Sequence, residues 1–321
     1  MQGKFNVLLF MDPGIDDAVA LMYALLHPKI NVVGIVSGYG NVSKEDAILN
    51  TAYILKLAGR EDIPIIGGAT GPVTGEISTF YPEIHGNTLG PIQAPKSLKA
   101  KVYRLSKAVE LIEQYKGNIV VVATGRLTEL AILFILNPTE MNEYISRFYV
   151  MGGVFLMPGN VTAVAEANFY GDPIAASVFM TKAENVYLFP LNVTHRAIVK
   201  PQTAQAIAAK SKNPFKPLFL PIYEYYYKAY QKLLPGIEGT PIHDILPLMG
   251  LVNDKVVQYV QRAVNVQISG KARGESIADF RPTAEEKDKN AEQYIGWAID
   301  YDEFIKELTT ILTSPLPNSK T

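Results

Sequence analysis

Three aspartates within six positions, Asp12, Asp16 and Asp17 in LLFMDPGIDDAVAL, stand where a short apolar run gives way to an amphipathic pattern. Val7 to Met11 is continuous, apolar and short, which suits a strand of a parallel sheet covered on both faces. Pro13 holds Asp12 out of the helical region and Gly14 permits a tight turn. Asp16 and Asp17 then fall in the first turn of a helix carrying Ala18, Leu21, Met22 and Leu25. All three carboxylates converge at the carboxyl end of one strand, where open α/β sheets bind ligands. Helix capping accounts for Asp16 or Asp17 but not for Asp12, and three anions this close need a cation or protons. Oxygen ligands in a chain without cysteine point to a hard ion, Ca²⁺ or Mg²⁺, over zinc.

Strand and helix patterns alternate after this junction. Asn31 to Ser37, Ile63 to Ile66, Ile119 to Ala123, Phe148 to Met151 and Val186 to Phe189 read as strands. Lys44 to Leu57, Val102 to Tyr115, Leu127 to Leu136 and Pro173 to Met180 have helical spacing. The alternation predicts an α/β fold with an open, mostly parallel central sheet and helices on both faces. Beyond residue 200 the helical segments Lys216 to Leu234 and His243 to Leu251 precede an alternating stretch, Ala263 to Ser269. Its return strand is expected at Glu275 to Phe280 across a turn near Gly270 to Gly274, a small antiparallel C-terminal extension. The polar run Ala284 to Gln293 reads as a surface loop, before a last strand near Ile295 to Ile299 and the helix Tyr301 to Leu312. No linker splits the pattern, so residues 1–321 are expected to form one domain.

Composition narrows the function classes. With 48% hydrophobic residues the 321-residue chain buries a large core, and 19% charged residues suits a large interior or a subunit interface. A net charge of −1 with scattered Lys and Arg gives no footprint for nucleic acid. The first apolar segment enters Asp12 too soon for a signal peptide, and no later stretch is long enough to cross a bilayer. The absence of cysteine fits a reducing compartment, so a soluble cytoplasmic protein is expected.

Other polar groups follow strand ends. Thr124 would present its carbonyl at the same sheet edge as Asp12, although taken alone it is better explained as an ordinary strand-to-helix turn with Gly125. Asn160, Glu166 and Asn168 lie in a Gly-rich loop, and amides beside a carboxylate suit a polyhydroxyl ligand. Among the four histidines, His27 reads as a helix C-cap, and His195 follows a strand. His85 sits in a loop that could act as a lid, and His243 adjoins Asp244 at the start of an apolar helix.

Taken together these segments resemble the inosine-uridine preferring nucleoside hydrolase family. MDPGIDDAVAL is similar to DxDPGxDDAxAL, VVATGRLTELA to xxTGPLTNLA, and MGG with GNVTAVAEANFYGDP to MGG…GNxxxxAEFNxxxDP. THRA, HDILPLM, ARGESIAD and WAIDYDEFIKEL follow in the expected order. The resemblance implies Ca²⁺ held by Asp12, Asp17, the Thr124 carbonyl and Asp244, and a ribose held by Asp16, Asn160, Glu166 and Asn168, with Asn41 a weaker match. It also implies that Asp12 is the general base, that His243 activates the leaving group, and that the chain assembles as a homodimer or homotetramer. His85 and His243 would line the base side of a ribonucleoside substrate.

The departures are specific. Phe10 replaces the first Asp of DxDPG, which in the family supports the site from behind, and Arg126 and Glu129 replace a Pro and an Asn. Ala167 replaces Phe in AEFN, Ile245 replaces Pro in HDP, and HGNTLG is one residue shorter than HGxxGLG. The chemistry implied is calcium-dependent hydrolysis of the N-glycosidic bond, giving ribose and a free nucleobase. Two other readings compete with it: a catalytically weak nucleoside- or pentose-binding protein, and a magnesium phosphohydrolase with an aspartyl nucleophile.

Overall fold

The computed structural model describes residues 4–78, 80–86, 88–95, 97–281 and 291–317. The first apolar run lies in β1 (Phe5–Met11), whose side chains alternate between two apolar layers. Val7, Leu9 and Met11 pack with helices Ile15–Leu26, Lys216–Leu233, Ile245–Val252 and Tyr301–Thr313. Leu8 and Phe10 pack with helices Ser106–Gln114, Thr128–Leu136 and Pro173–Lys182. Helices cover both faces, which is why the strand is apolar from Val7 to Met11.

Among the described residues nine strands form one sheet in the order β10 (Val257–Ala263), β13 (Glu292–Ile299), β7 (Val186–Phe189), β6 (Ile145–Met151), β5 (Ile119–Ala123), β1, β2 (Ile30–Ser37), β3 (Ile65–Gly67) and β4 (Val102–Tyr103). Only β10 and β13 pair antiparallel within it. From β1 the chain builds outward to β4, then returns to the other side of β1 at β5. That reversal opens a crevice at the carboxyl ends of β1 and β5. Phe10 pairs with Ala123, and the Thr124 N–H donates to the Phe10 carbonyl at 2.9 Å, so Asp12 and Thr124 emerge side by side.

Several expected boundaries shift. The helix expected from Val102 begins at Ser106, because Val102 and Tyr103 join the sheet edge beside Ile65 and Ile66. The antiparallel extension starts earlier than expected, as β10, whose half-exposed edge position admits Gln258, Gln261 and Arg262 and so blurs its apolar alternation. Only Asn265–Val266 (β11) and Ser276–Ile277 (β12) form the expected hairpin ladder. Of the polar run 284–293, residues 284–290 lie outside the described residues, while Glu292 and Gln293 open β13. Gln293 is tolerated there because its amide donates to the Met180 and Ala183 carbonyls. A helix at Pro201–Lys210 was not anticipated. A short antiparallel ladder of β8 (Ile198–Val199) with β9 (Thr240–Pro241) delivers the chain to His243. The last apolar helix starts at Ile245, leaving His243 and Asp244 in the turn before it. Among the described residues no helix is long and apolar enough to cross a membrane.

Candidate active site

The turn after β1 is pinned both by the helix that follows it and from outside that helix. Asn50 Nδ2 donates to the Pro13 carbonyl at 2.8 Å, and the Gly14 N–H donates to Asp17 Oδ2 at 3.4 Å. This turns Asp12, Asp16 and Asp17 into the crevice, where Asp244 joins them from the far end of the chain; all four are buried. Carboxylate oxygens of Asp16, Asp17 and Asp244 lie within 4.8 Å of one another, close enough to share one cation. The Asp244 side chain caps no helical N–H, so capping does not explain its burial.

Burial, followed by the neighbouring carboxylates, pushes Asp12 and Asp244 well above the ordinary carboxylate range and Asp16 up to about 7. Asp17 moves up less, because Thr124 Oγ1 donates to its Oδ1 at 2.7 Å and Asn41 Nδ2 to its Oδ2 at 3.1 Å. Asp12 Oδ1, Asp16 Oδ1 and Asp244 Oδ2 are buried without a hydrogen-bond partner among the described residues. Unpaired buried oxygens on repelling carboxylates are costly, and a hard divalent cation satisfies both the charge and the orphan lone pairs. The donor set therefore fits such an ion.

A cavity of about 570 Å³ opens above this centre. Asp16, Asp244, Thr124 and Asn168 line it, whereas Asp12 and Asp17 do not. Asn41, His85, Asn160, Glu166, His195 and His243 also line it. Glu166 is held by three backbone N–H groups, those of Asn168, Phe169 and Gly153, at 2.8, 3.2 and 2.9 Å. Asn160 Oδ1 accepts from the Ala167 N–H at 3.0 Å. Asn168 donates its amide to the carbonyls of Thr124 and Met151 at 2.7 and 3.2 Å. Its Oδ1 accepts from Arg126, which has only donors and so fixes the amide's orientation.

The histidines divide. His27 is remote: its ring meets Glu307 at 3.2 Å and ties the first helix to the last. His85 Nδ1 accepts from the Ile15 N–H at 3.1 Å, and burial holds the ring down to about 3. The ring is therefore neutral with its proton on Nε2, and its 3.8 Å approach to Asp16 is not an ion pair. His243 is buried between Thr194 Oγ1 on Nδ1 and the Tyr230 hydroxyl on Nε2, each at 2.9 Å, with the His195 ring 5.3 Å away.

Sequence reasoning passes over Tyr81 and Thr194 and marks Arg126 only as a departure from the family pattern. The aromatic run Tyr223 to Tyr230 has helical spacing and offers a face that could stack on a nucleobase, although such stripes are more often core or interface; of this run Tyr226 and Tyr230, four apart on one helix, share the face that reaches the cavity. Tyr223, in the same run, instead donates its hydroxyl to the Val199 carbonyl at 2.8 Å, away from the cavity.

A buried carboxylate centre beside a polar sugar-sized floor, at the switch point of a mostly parallel sheet, defines a metal-dependent hydrolase of nucleoside-like ligands. The chain matches the inosine-uridine preferring nucleoside hydrolase model over residues 7–306 and belongs to that family. It is an enzyme of the ribonucleoside N-ribohydrolase class. It is 33% identical over 274 residues to probable uridine nucleosidase 2 of Arabidopsis thaliana, covering 84% of each chain. It superposes on a plant nucleoside hydrolase, PpNRh1, with a TM-score of 0.89 and 26% identity, covering 97% of this chain and 100% of that one. A purine-preferring ribonucleoside hydrolase from Gardnerella vaginalis gives 0.87 and 26%, covering 96% and 98%.

Proposed function

We propose that this chain hydrolyses the N-glycosidic bond of ribonucleosides in a calcium-dependent reaction that gives ribose and a free nucleobase. The observation carrying the reading is the set of orphan carboxylate oxygens on Asp12, Asp16 and Asp244, of which Asp16 and Asp244 line the cavity. Asp12, Asp17, Asp244 and the Thr124 carbonyl are the groups that would hold Ca²⁺, with Asp16 close enough to share in it. Bound there, the ion supplies Lewis acidity and open valences suited to a vicinal diol.

The protein's own groups do the remainder. Asp12 Oδ1, free of hydrogen bonds, takes the proton of the attacking water. Asp16, Asn41, Asn160, Glu166 and Asn168 hold the sugar, and Glu166 keeps its carboxylate aimed because three backbone donors fix it. Neutral His85 and the Tyr226, Tyr230 and His243 group form the side that receives the nucleobase as negative charge builds on it.

A panel of purine and pyrimidine ribonucleosides, assayed for released reducing sugar with and without chelator, tests the reading. No sugar released from any riboside in the presence of Ca²⁺ would overturn it. The reading includes one domain over residues 1–321, assembly as a homodimer or homotetramer, and a cytoplasmic location. Sedimentation of the purified chain tests the assembly.

A further inference from the structure

We propose that Arg126 is a positioning residue that selects which oxygen of Asp12 faces the carboxylate centre and ties that choice to the amide of Asn168. The inference rests on the role given to Asp12 above.

One nitrogen, Nη1 of Arg126, lies 3.1 Å from Asp12 Oδ2 and 3.1 Å from Asn168 Oδ1. Its two hydrogens serve both acceptors. Asp12 Oδ2 also accepts from the Asn41 N–H, so this oxygen is fully engaged while Oδ1 has no partner among the described residues. The space for the guanidinium is built into the backbone. A Cβ on Gly40 would stand 2.8 Å from Nη1 and 1.8 Å from Asp12 Oδ2, and one on Gly171 would stand 2.5 Å from Nε. The Tyr81 ring stands 5.8 Å from Cζ, and the Arg126 side chain is only 2% exposed.

The charge arrangement gives this contact a consequence that packing alone would not. Two residues before Asp12, where the family pattern carries an Asp, Phe10 sits in the apolar layer. An anion is thus missing at position 10 and a cation is present at position 126. Of the four carboxylates at this centre, Asp12 alone has a permanent counter-ion among the described residues, and the other three are those whose oxygens gather within 4.8 Å. A fixed guanidinium repels a divalent cation while it orients the free oxygen of Asp12. Removing it should therefore tighten cation binding and slow turnover, effects of opposite sign.

The test is Arg126→Met, with Ca²⁺ affinity measured by calorimetry on chelator-treated protein and kcat and KM measured on uridine and inosine. We expect Ca²⁺ to bind about three- to tenfold more tightly. We expect kcat to fall about 10- to 100-fold, with KM changing less than about threefold. Arg126→Lys should return the Ca²⁺ affinity toward wild type but not kcat, because an ammonium keeps the charge and loses the shared contact. If the Met variant does not fold, Arg126→Gln should show the same two signs. Weakened Ca²⁺ binding together with lowered kcat, or no change in either, would overturn the proposal. If the wild type cleaves no riboside, the hydrolase reading fails separately. A crystal structure of the Met variant then decides the point, with a turned Asp12 carboxylate supporting the proposal and an unmoved one overturning it.

Discussion

The Tyr230 hydroxyl lies 2.9 Å from Nε2 of His243, whose Nδ1 lies 2.9 Å from Thr194 Oγ1, so neither ring nitrogen is free. Burial, followed by the neighbouring His195 and His85, holds the imidazole well below its ordinary range, and the ring is neutral. Any proton it delivers to a departing base passes through the Tyr230 hydroxyl or requires that hydroxyl to move. His243→Ala should slow cleavage of natural purine ribosides about 10²- to 10⁴-fold, and Tyr230→Phe should impair the same substrates. Both variants should largely spare a p-nitrophenyl riboside, whose leaving group needs no proton, whereas Asp244→Ala should damage every substrate. Equal losses on natural and activated substrates would remove His243 from leaving-group chemistry.

Asp12→Asn keeps the shape of the side chain and removes the proton acceptor. Its activity should fall below about a tenth of wild type, a loss above ~1.4 kcal/mol in transition-state stabilisation. Steady-state rates at saturating Ca²⁺ measure this, and a smaller loss would assign the base elsewhere.

Ribonucleosides should be strongly preferred to 2′-deoxyribonucleosides. Asp16, Glu166 and Asn168 line the cavity as buried groups beside the exposed Asn160, and a missing hydroxyl leaves the buried ones without a partner. Comparable kcat/KM for uridine and 2′-deoxyuridine would contradict this arrangement.

Calcium should stabilise the fold as well as support turnover, because chelation leaves Asp12, Asp16, Asp17 and Asp244 buried against one another. At a free concentration about a hundred times Kd, the ion should add about 2.7 kcal/mol to the stability. Thermal scans with Ca²⁺ and with EGTA measure the difference, and coincident Tm values would argue against a cation at this centre.

Glu129 stands where the family pattern has Asn, and burial pushes its carboxyl up from 4.5 to about 7 although the Ala69 N–H donates to it. The folded state thus binds a proton that the unfolded state has already lost between these two values. Stability contributed by Glu129 is present below about 4.5 and is lost as pH rises through about 7. Glu129→Gln should raise stability by up to about 3 kcal/mol at pH 8 and change it little at pH 5. Denaturant titrations at the two pH values check this, and an equal effect at both would rule out the protonation account.

Much of the site was legible because its residues are anchored to local punctuation. The Asp12-Pro13-Gly14 turn at the end of an apolar strand locates three carboxylates without further information, and β5 ends beside it for the same reason of parallel pairing. Arg126 was visible as a departure, but its pairing with Asp12 depends on Gly40 and Gly171 standing aside, which spacing in the chain does not encode. The aromatic run Tyr223 to Tyr230 offered a base-stacking face, but a buried helix would carry the same run, and its spacing does not single out Tyr226 and Tyr230. β10 was missed because an edge strand exposed along one side shows no clean alternation.

The carboxylate centre takes Asp12 from the start of the chain and Asp244 from near its three-quarter point. During synthesis the first aspartates leave the ribosome long before their partner exists, with strands β2 through β9 lying between the two in the chain. The full ion site therefore forms only after residue 244 has been made. Its cation affinity reports that the chain has reached its finished topology, and nascent chains ending before residue 244 should lack that site altogether.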